Sequence, residues 1–149
     1  MKQKEYADIQ KRLIQIIEAG EQRNIDYLVD KINSKDPSER YWAVTWLGVN
    51  KVQSVKDRVV LLSADDNPTV RIAAYLALYK MDSSFNPIPS LGEELNNNNL
   101  LVGMYAMNAI EQTGIRNAEV KAVAERASQS KYEFTRRFGK YLLEVCEDL

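Results

Sequence analysis

Apolar residues recur at helical spacing along most of the chain, and no stretch alternates apolar and polar residues as a half-buried strand does. The first predicted helix covers about residues 4–19, and its apolar face carries Ile9, Leu13, Ile16 and Ile17. Gly20 follows as the predicted helix terminator. Four predicted helix pairs come next, at about residues 24–50, 54–81, 88–113 and 117–148. The pattern therefore predicts an all-α protein.

The best-defined helix start lies at Asp36. Its carboxylate can accept hydrogen bonds from the free amides of the first turn, and Pro37 suits the first helical position, where a missing N–H costs nothing. Glu39, three residues after the cap, predicts a capping box. Asn67 and Pro68 repeat the same cap-and-proline signal one helix pair later. This recurrence indicates an internal repeat.

Aligning the second helix of each pair produces columns of shared character. One column holds Arg40, Arg71, Gly103 and Arg136. The column three residues later is small throughout, with Ala43, Ala74, Ala106 and Gly139. An apolar column contains Leu47, Leu78, Ile110 and Leu143. Because such a unit cannot bury its apolar face alone, the columns predict that the helix pairs stack on one another.

The segments Asp36–Ala43 and Asn67–Ala74 resemble HEAT repeats. The resemblance covers about residues 24–149 and implies an α-α superhelix of the HEAT/armadillo-like kind. At 149 residues the chain is expected to form one domain, 1–149. It also implies a ladder between repeats in which a turn aspartate meets a helical arginine. The ladder positions are Asp36 with Arg40, Asp66 with Arg71, and Arg136 in the last repeat, whereas Gly103 departs from the pattern.

A narrower resemblance is to the HEAT-repeat extension found C-terminal to some bacterial sulfatases. It is carried by Arg40-Tyr41-Trp42-Ala43 after an amphipathic helix, and by the stretches 99–110 and 134–143. The sulfatase nucleophile motif, Cys or Ser followed by x-Pro-x-Arg, does not occur in the chain. The resemblance implies an accessory domain that packs on a catalytic domain, with a periplasmic location if the parent is secreted. The alternative is a stand-alone HEAT protein that binds another protein.

Composition argues against catalysis by this chain. It has no histidine and one cysteine, Cys146, so histidine-assisted nucleophiles and most zinc sites are excluded. Cys146 lies in an apolar-periodic helix and is expected to be a small core residue. No cofactor or metal site is predicted. The apolar runs are too short to be expected to span a membrane, and residues 1–6 lack the apolar segment expected of a signal peptide.

A stripe of apolar and aromatic residues is predicted to point away from the core of the second helices. Its members are Tyr41, Ile72, Tyr75, Tyr79, Met104, Met107 and Tyr141. An exposed stripe of this kind suits a partner protein or a neighbouring domain. The competing interpretation is that curvature buries the stripe, which would make it ordinary core.

Nucleic acid is the weaker alternative partner. Lys131, Arg136, Arg137 and Lys140 form a basic cluster with interleaved aromatic residues, and some HEAT-like proteins that remove damaged bases use a basic groove. Glu144 and Glu147 follow the cluster, however, and the formal net charge of the chain is −1. The sequence therefore favours a protein partner, and it leaves the identity of that partner and the oligomeric state open.

Overall fold

A computed structural model describes residues 2–147, and within them the chain forms nine α-helices and no strand. The helices are α1 (Gln3–Glu21), α2 (Ile25–Lys31), α3 (Pro37–Val49), α4 (Lys56–Leu62), α5 (Pro68–Met81), α6 (Ile88–Leu95), α7 (Leu100–Thr113), α8 (Ala118–Ala127) and α9 (Glu133–Val145). A 3₁₀ turn at Gln53–Val55 precedes α4. Helices adjacent in sequence pack in pairs, which confirms the all-α solenoid class. The predicted end of the last repeat, residue 148, lies outside the described residues.

Side-chain caps fix most of the helix starts that the sequence predicted. The Asp36 carboxylate accepts from the Ser38 N–H at 2.9 Å, and Asn67 accepts from the Thr69 N–H at 2.9 Å. Asn24, Asn99 and Asn117 cap three further helices in the same way. The predicted capping box of α3 is wrong. Glu39 is 6% exposed, and its carboxylate accepts from the Ser34 hydroxyl at 2.8 Å.

The chain divides into two compact units, Met1–Ser83 and Ser84–Leu149. The first unit contains α1 to α5, and the second contains α6 to α9. The single domain over residues 1–149 stays a prediction.

In the first unit, α3 packs against both α1 and α5. A Cβ added at Gly48 would lie 2.7 Å from the Cα and Cβ of Ala77, so the glycine lets α3 and α5 approach closely. Val44, on the same side of α3, is fully buried. The side of α3 that carries Val44 and Gly48 therefore packs on the next repeat.

Gly20 has a different role from the predicted one. It lies inside α1, which continues to Glu21, and the chain turns at Arg23 with a φ of 56°. A Cβ at Gly20 would lie 2.1 Å from the Trp46 ring. The glycine therefore makes room for the indole between α1 and α3 and does not end the helix.

In the second unit, α6 pairs with α7 and α8 pairs with α9. A Cβ at Gly139 would lie 2.5 Å from the Ser128 backbone nitrogen, so the small residue of this repeat does permit close backbone approach. Gly114 has a φ of 66° and caps the end of α7.

Candidate interaction surface

The ladder arginine of the first repeat joins two repeats through an acidic residue that the sequence did not single out. Arg40 donates from Nε and Nη2 to the two carboxylate oxygens of Asp65, at 3.0 Å each. The pair links α3 to the turn before α5. Asp36 instead caps its own helix. The Asp66 side chain is exposed, next to Asp65, which pairs with Arg40. The predicted pairings of Arg40 with Asp36 and of Arg71 with Asp66 through side chains are therefore corrected.

All three predicted ladder arginines also bind the turn that precedes their own helix. Arg40 donates to the carbonyls of Ser34 and Lys35, and Arg71 donates to those of Asp65 and Asp66. Arg136 donates to the carbonyls of Ser130 and Lys131, at 2.9 and 3.0 Å. This shared geometry satisfies carbonyls that the turn leaves unpaired and explains the recurrent arginine in structural terms.

The electrostatic setting of Asp65 favours its ionised form. Burial acts to raise the pKa of this carboxyl, but hydrogen bonds from Arg40 and the Asn67 N–H and the charges of Arg40 and Arg71 outweigh burial and lower the pKa. The carboxylate is 9% exposed, so the pair is largely shielded from water.

The predicted apolar stripe divides into buried and exposed members. Ile72 is 2% exposed and drops out of any surface. Four members are half-buried, namely Tyr41, Tyr75, Tyr79 and Met107. The Tyr75 hydroxyl donates to the Ser63 carbonyl at 3.2 Å. Met104 and Tyr141 are 45% and 42% exposed and lie in the second unit.

Met104 and Tyr141 belong to a larger exposed surface on α7 and α9, which we call the α7–α9 face. Its members are Leu101, Met104, Tyr105, Phe134 and Tyr141, all of them at least 42% exposed. Leu101 and Phe134 are the most exposed of the five, at 65% and 59%. The sequence prediction of the stripe missed Leu101, Tyr105 and Phe134. The signal available was their i, i+4 spacing on one side of each helix.

Hydrogen bonds at both ends show that α7 and α9 run side by side in the same direction. Near their starts, the Tyr132 hydroxyl donates to the Asn98 carbonyl. Near their ends, the Tyr141 hydroxyl donates to a carboxylate oxygen of Glu111 at 2.9 Å. Arg116 donates to the other oxygen of Glu111 at 2.6 Å. The two tyrosine contacts hold α7 and α9 next to each other.

The face includes an open depression of about 310 Å³ lined by Met104, Tyr105 and Asn108. The Asn108 side-chain carbonyl accepts from Gln112 at 3.2 Å. On α9, the rings of Phe138 and Tyr141 lie 6.2 Å apart. An exposed methionine and several aromatic rings offer a large contact area to a partner. Aromatic residues also lose little rotamer freedom on binding, which lowers the entropic cost of the contact.

The basic cluster next to the face is only partly available for binding. Arg136 is engaged by the two carbonyls described above, and Arg137 pairs with Glu133 at 2.8 Å on the exposed surface. The Lys131 ammonium lies 5.1 Å from the centre of the Tyr132 ring. Lys140 is exposed, and it forms no ion pair with any residue between positions 2 and 147.

Cys146 is fully buried. Within residues 2–147, no group of three or more cysteine, aspartate or glutamate side chains is placed to hold a metal ion. None of the helices between these positions is both long and apolar enough to cross a bilayer.

Residues 25–97 match a family model described as HEAT repeats. No curated protein matches the chain. HEAT repeats generally mediate interactions between proteins and are generally non-catalytic. The match and the sequence-adjacent helix pairs together support a HEAT-repeat fold for this chain.

Proposed function

We propose that this chain is a non-catalytic interaction module and that a partner protein docks on the α7–α9 face. The observation that carries the proposal is the exposure of Leu101 and Phe134, at 65% and 59%, beside further exposed apolar side chains on the same two helices. Isolated exposed apolar residues are normal on soluble proteins, whereas a contiguous group on neighbouring helices is typical of an interaction site.

The chemistry of the face suits a protein partner. Aromatic and methionine side chains are enriched in protein interfaces, and the exposed Arg137–Glu133 pair and Lys140 provide a polar rim. The helices that carry the face are held together at both ends by tyrosine hydroxyl bonds. A partner would therefore meet a preorganised surface, which lowers the entropic cost of association.

The resemblance to the sulfatase extension suggests a more specific form of the proposal. In that form, the partner is a sulfatase-type catalytic domain, on the same polypeptide or on a separate one, and this chain contributes no hydrolytic residue. A stand-alone module that binds another protein uses the same face. The two forms differ only in the partner that they predict.

Nucleic acid fits the face less well. Binding to a phosphate backbone depends on several free cationic side chains, and Arg136 and Arg137 already have carbonyl and carboxylate partners. Lys131 and Lys140 alone neutralise too few phosphates to carry an interface.

Affinity purification with matched variants tests the proposal. The bait is the full chain, compared with the double variant Leu101→Ser/Phe134→Ser and with a control, Leu61→Ser, which changes a 75% exposed leucine of the first unit. A partner is accepted only when the purified pair binds in calorimetry. We expect the double variant to weaken that binding at least about tenfold, which is about 1.4 kcal/mol.

Circular dichroism first establishes that all three proteins are folded to the same extent. Equal affinity of the purified partner for the wild-type chain and the double variant would overturn the proposal. Loss of binding in Leu61→Ser alone would move the interface to the first unit.

A further inference from the structure

We propose that two copies of this chain associate through the C-terminal half of α9, packed antiparallel against the same half of the second copy. This contact goes beyond the proposed function, because Leu101 and Phe134 lie near the starts of α7 and α9 and stay open to a docked partner. The proposal is carried by the order of exposed charges along α9, which an antiparallel copy of the same helix complements.

Exposed charges form a strip along one side of the second half of α9. Arg137, Lys140 and Glu144 follow one another at i, i+3 and i+7, and Glu147 comes three residues later. At about 100° per residue these positions point to the same side of the helix. The strip therefore contains two cations followed by two carboxylates, with its basic and acidic parts separated along the helix axis.

Two charges at the centre of the strip are unpaired. Among residues 2–147, neither Lys140 nor Glu144 has an ion-pair partner, and both side chains are exposed. They lie at i, i+4 with the lysine first, which is the less favourable order for a contact within one helix. Glu133, one turn before the strip, already pairs with Arg137 at 2.8 Å. Lys140 and Glu144 are therefore both open to charges on a second molecule.

The end of α9 also lacks the cation that a helix end favours. The carbonyl groups at a helix C-terminus carry partial negative charge, so basic side chains stabilise that end and carboxylates do not. The last turn of α9 has no basic residue. Glu144 lies in that turn, and Glu147 follows it. A cation from a second molecule would relieve this concentration of negative charge.

An antiparallel copy supplies that cation in a matching register. With Lys140 opposite Glu144 of the second copy, the two-fold axis passes near Leu142, and Glu144 meets Lys140 of the second copy in return. The same register places Arg137 opposite Glu147. A parallel copy would instead place each charge beside its own kind. A two-fold contact requires a surface that complements itself, and this balanced strip does so in the antiparallel arrangement.

Apolar side chains next to the strip provide the centre of the contact. Tyr141 and Val145 are 42% and 43% exposed, and Phe138 is half-buried. In the same register, Phe138 of one copy approaches Val145 of the other, on both sides of Tyr141. The overlap over residues 137–147 is about 15 Å long. A single helix contact of this length is smaller than a standard protein interface, so we expect a weak and reversible dimer.

Sedimentation velocity of the full chain over a concentration series tests the inference. We expect a reversible equilibrium of monomer and dimer that weakens in 1 M salt, where the screening length is about 3 Å. Lys140→Glu and Glu144→Lys are each expected to weaken dimerisation at least about tenfold, because each places two like-charged pairs across the axis. An equimolar mixture of the two variants is expected to recover the dimer, since each copy then carries the charge that the other lacks.

Control variants separate this contact from other effects. Lys11→Glu makes the same change of charge at an exposed position of α1 and is expected to dimerise as the wild type does. Leu101→Ser/Phe134→Ser is also expected to keep the dimer, so self-association and docking of another protein can fail separately. Loss of the dimer in that double variant would overturn the register.

Three further results would contradict the proposal. The first is a wild-type chain that stays monomeric at every concentration. The second is a dimer that keeps its affinity in both Lys140→Glu and Glu144→Lys. The third is a mixture of these two variants that stays monomeric although circular dichroism shows both to be folded.

Discussion

Arg40 and Asp65 form a bidentate pair, with Nε and Nη2 of the arginine each 3.0 Å from a carboxylate oxygen. The pair connects the second helix of one repeat to the turn that starts the second helix of the next. Two parallel charge-assisted hydrogen bonds fix orientation as well as distance. The side chains are 16% and 9% exposed, so water does little to weaken the pair.

Removing the Asp65 carboxylate is expected to destabilise the first unit. The substitution Asp65→Ala leaves the Arg40 guanidinium with only its two carbonyl partners and removes an acceptor for the Asn67 N–H. We expect the free energy of unfolding to fall by about 2 kcal/mol. Urea unfolding followed by tryptophan fluorescence measures this, because both tryptophans, Trp42 and Trp46, lie in the first unit.

The neighbouring Asp66 provides a matched control for that measurement. Its side chain is exposed, and its contribution to the Arg71 contact comes from the backbone carbonyl. Asp66→Ala is therefore expected to change the unfolding free energy by less than about 0.5 kcal/mol. Equal losses in the two variants would contradict a ladder role specific to Asp65.

The stability that Asp65 contributes is expected to depend on pH. Its pKa in the folded protein is lowered below the ordinary value of 3.8, so the unfolded chain binds the proton more readily than the folded chain. The contribution is therefore complete above the unfolded pKa and is lost as the pH falls through the lower, folded value. Comparing the unfolding free energy of the wild type with that of Asp65→Asn should show a constant difference near neutral pH that shrinks below about pH 4. A difference that grows on acidification would contradict the shift.

Gly139 is expected to tolerate no side chain. A Cβ there would lie 2.5 Å from the Ser128 nitrogen and 2.7 Å from the Ala124 carbonyl oxygen, and backbone atoms cannot move aside as a flexible side chain does. We expect Gly139→Ala to cost about 2 kcal/mol, although alanine is the better helix former. Hydrogen exchange of the amides in α8 and α9 measures the loss, and Glu144→Ala, at an exposed position of α9, should leave it unchanged. Protection equal to that of the wild type would show that the helices separate without cost.

The sequence predicted local structure well, because caps, prolines and apolar spacing act over a few residues. Asp36 and Asn67 mark helix starts in the structure, as the sequence predicted. The prediction failed where the result depends on contacts between repeats. Gly20 looked like a terminator because glycine has the same signature at a helix end and at a close helix contact.

The candidate site was predicted only in part for the same reason. One helical wheel does not distinguish the side of a helix that faces solvent from the side that faces the next repeat. Ile72 is therefore buried, although it was assigned to the surface, while Tyr105 is exposed, although it was not among the predicted surface residues. Arg40 pairs with Asp65 in the turn before α5, whereas the sequence pattern paired it with Asp36.

Footprinting of the α7–α9 face in a purified complex tests the docking proposal most directly. Hydroxyl radicals oxidise exposed methionine and aromatic side chains, so Met104, Tyr105, Phe134 and Tyr141 are natural reporters, and Tyr6, which is 55% exposed in the first unit, is the internal reference. We expect partner binding to protect the four reporters several-fold and to leave Tyr6 unchanged. Unchanged oxidation of the four reporters in a complex that calorimetry shows to be saturated would contradict docking on this face.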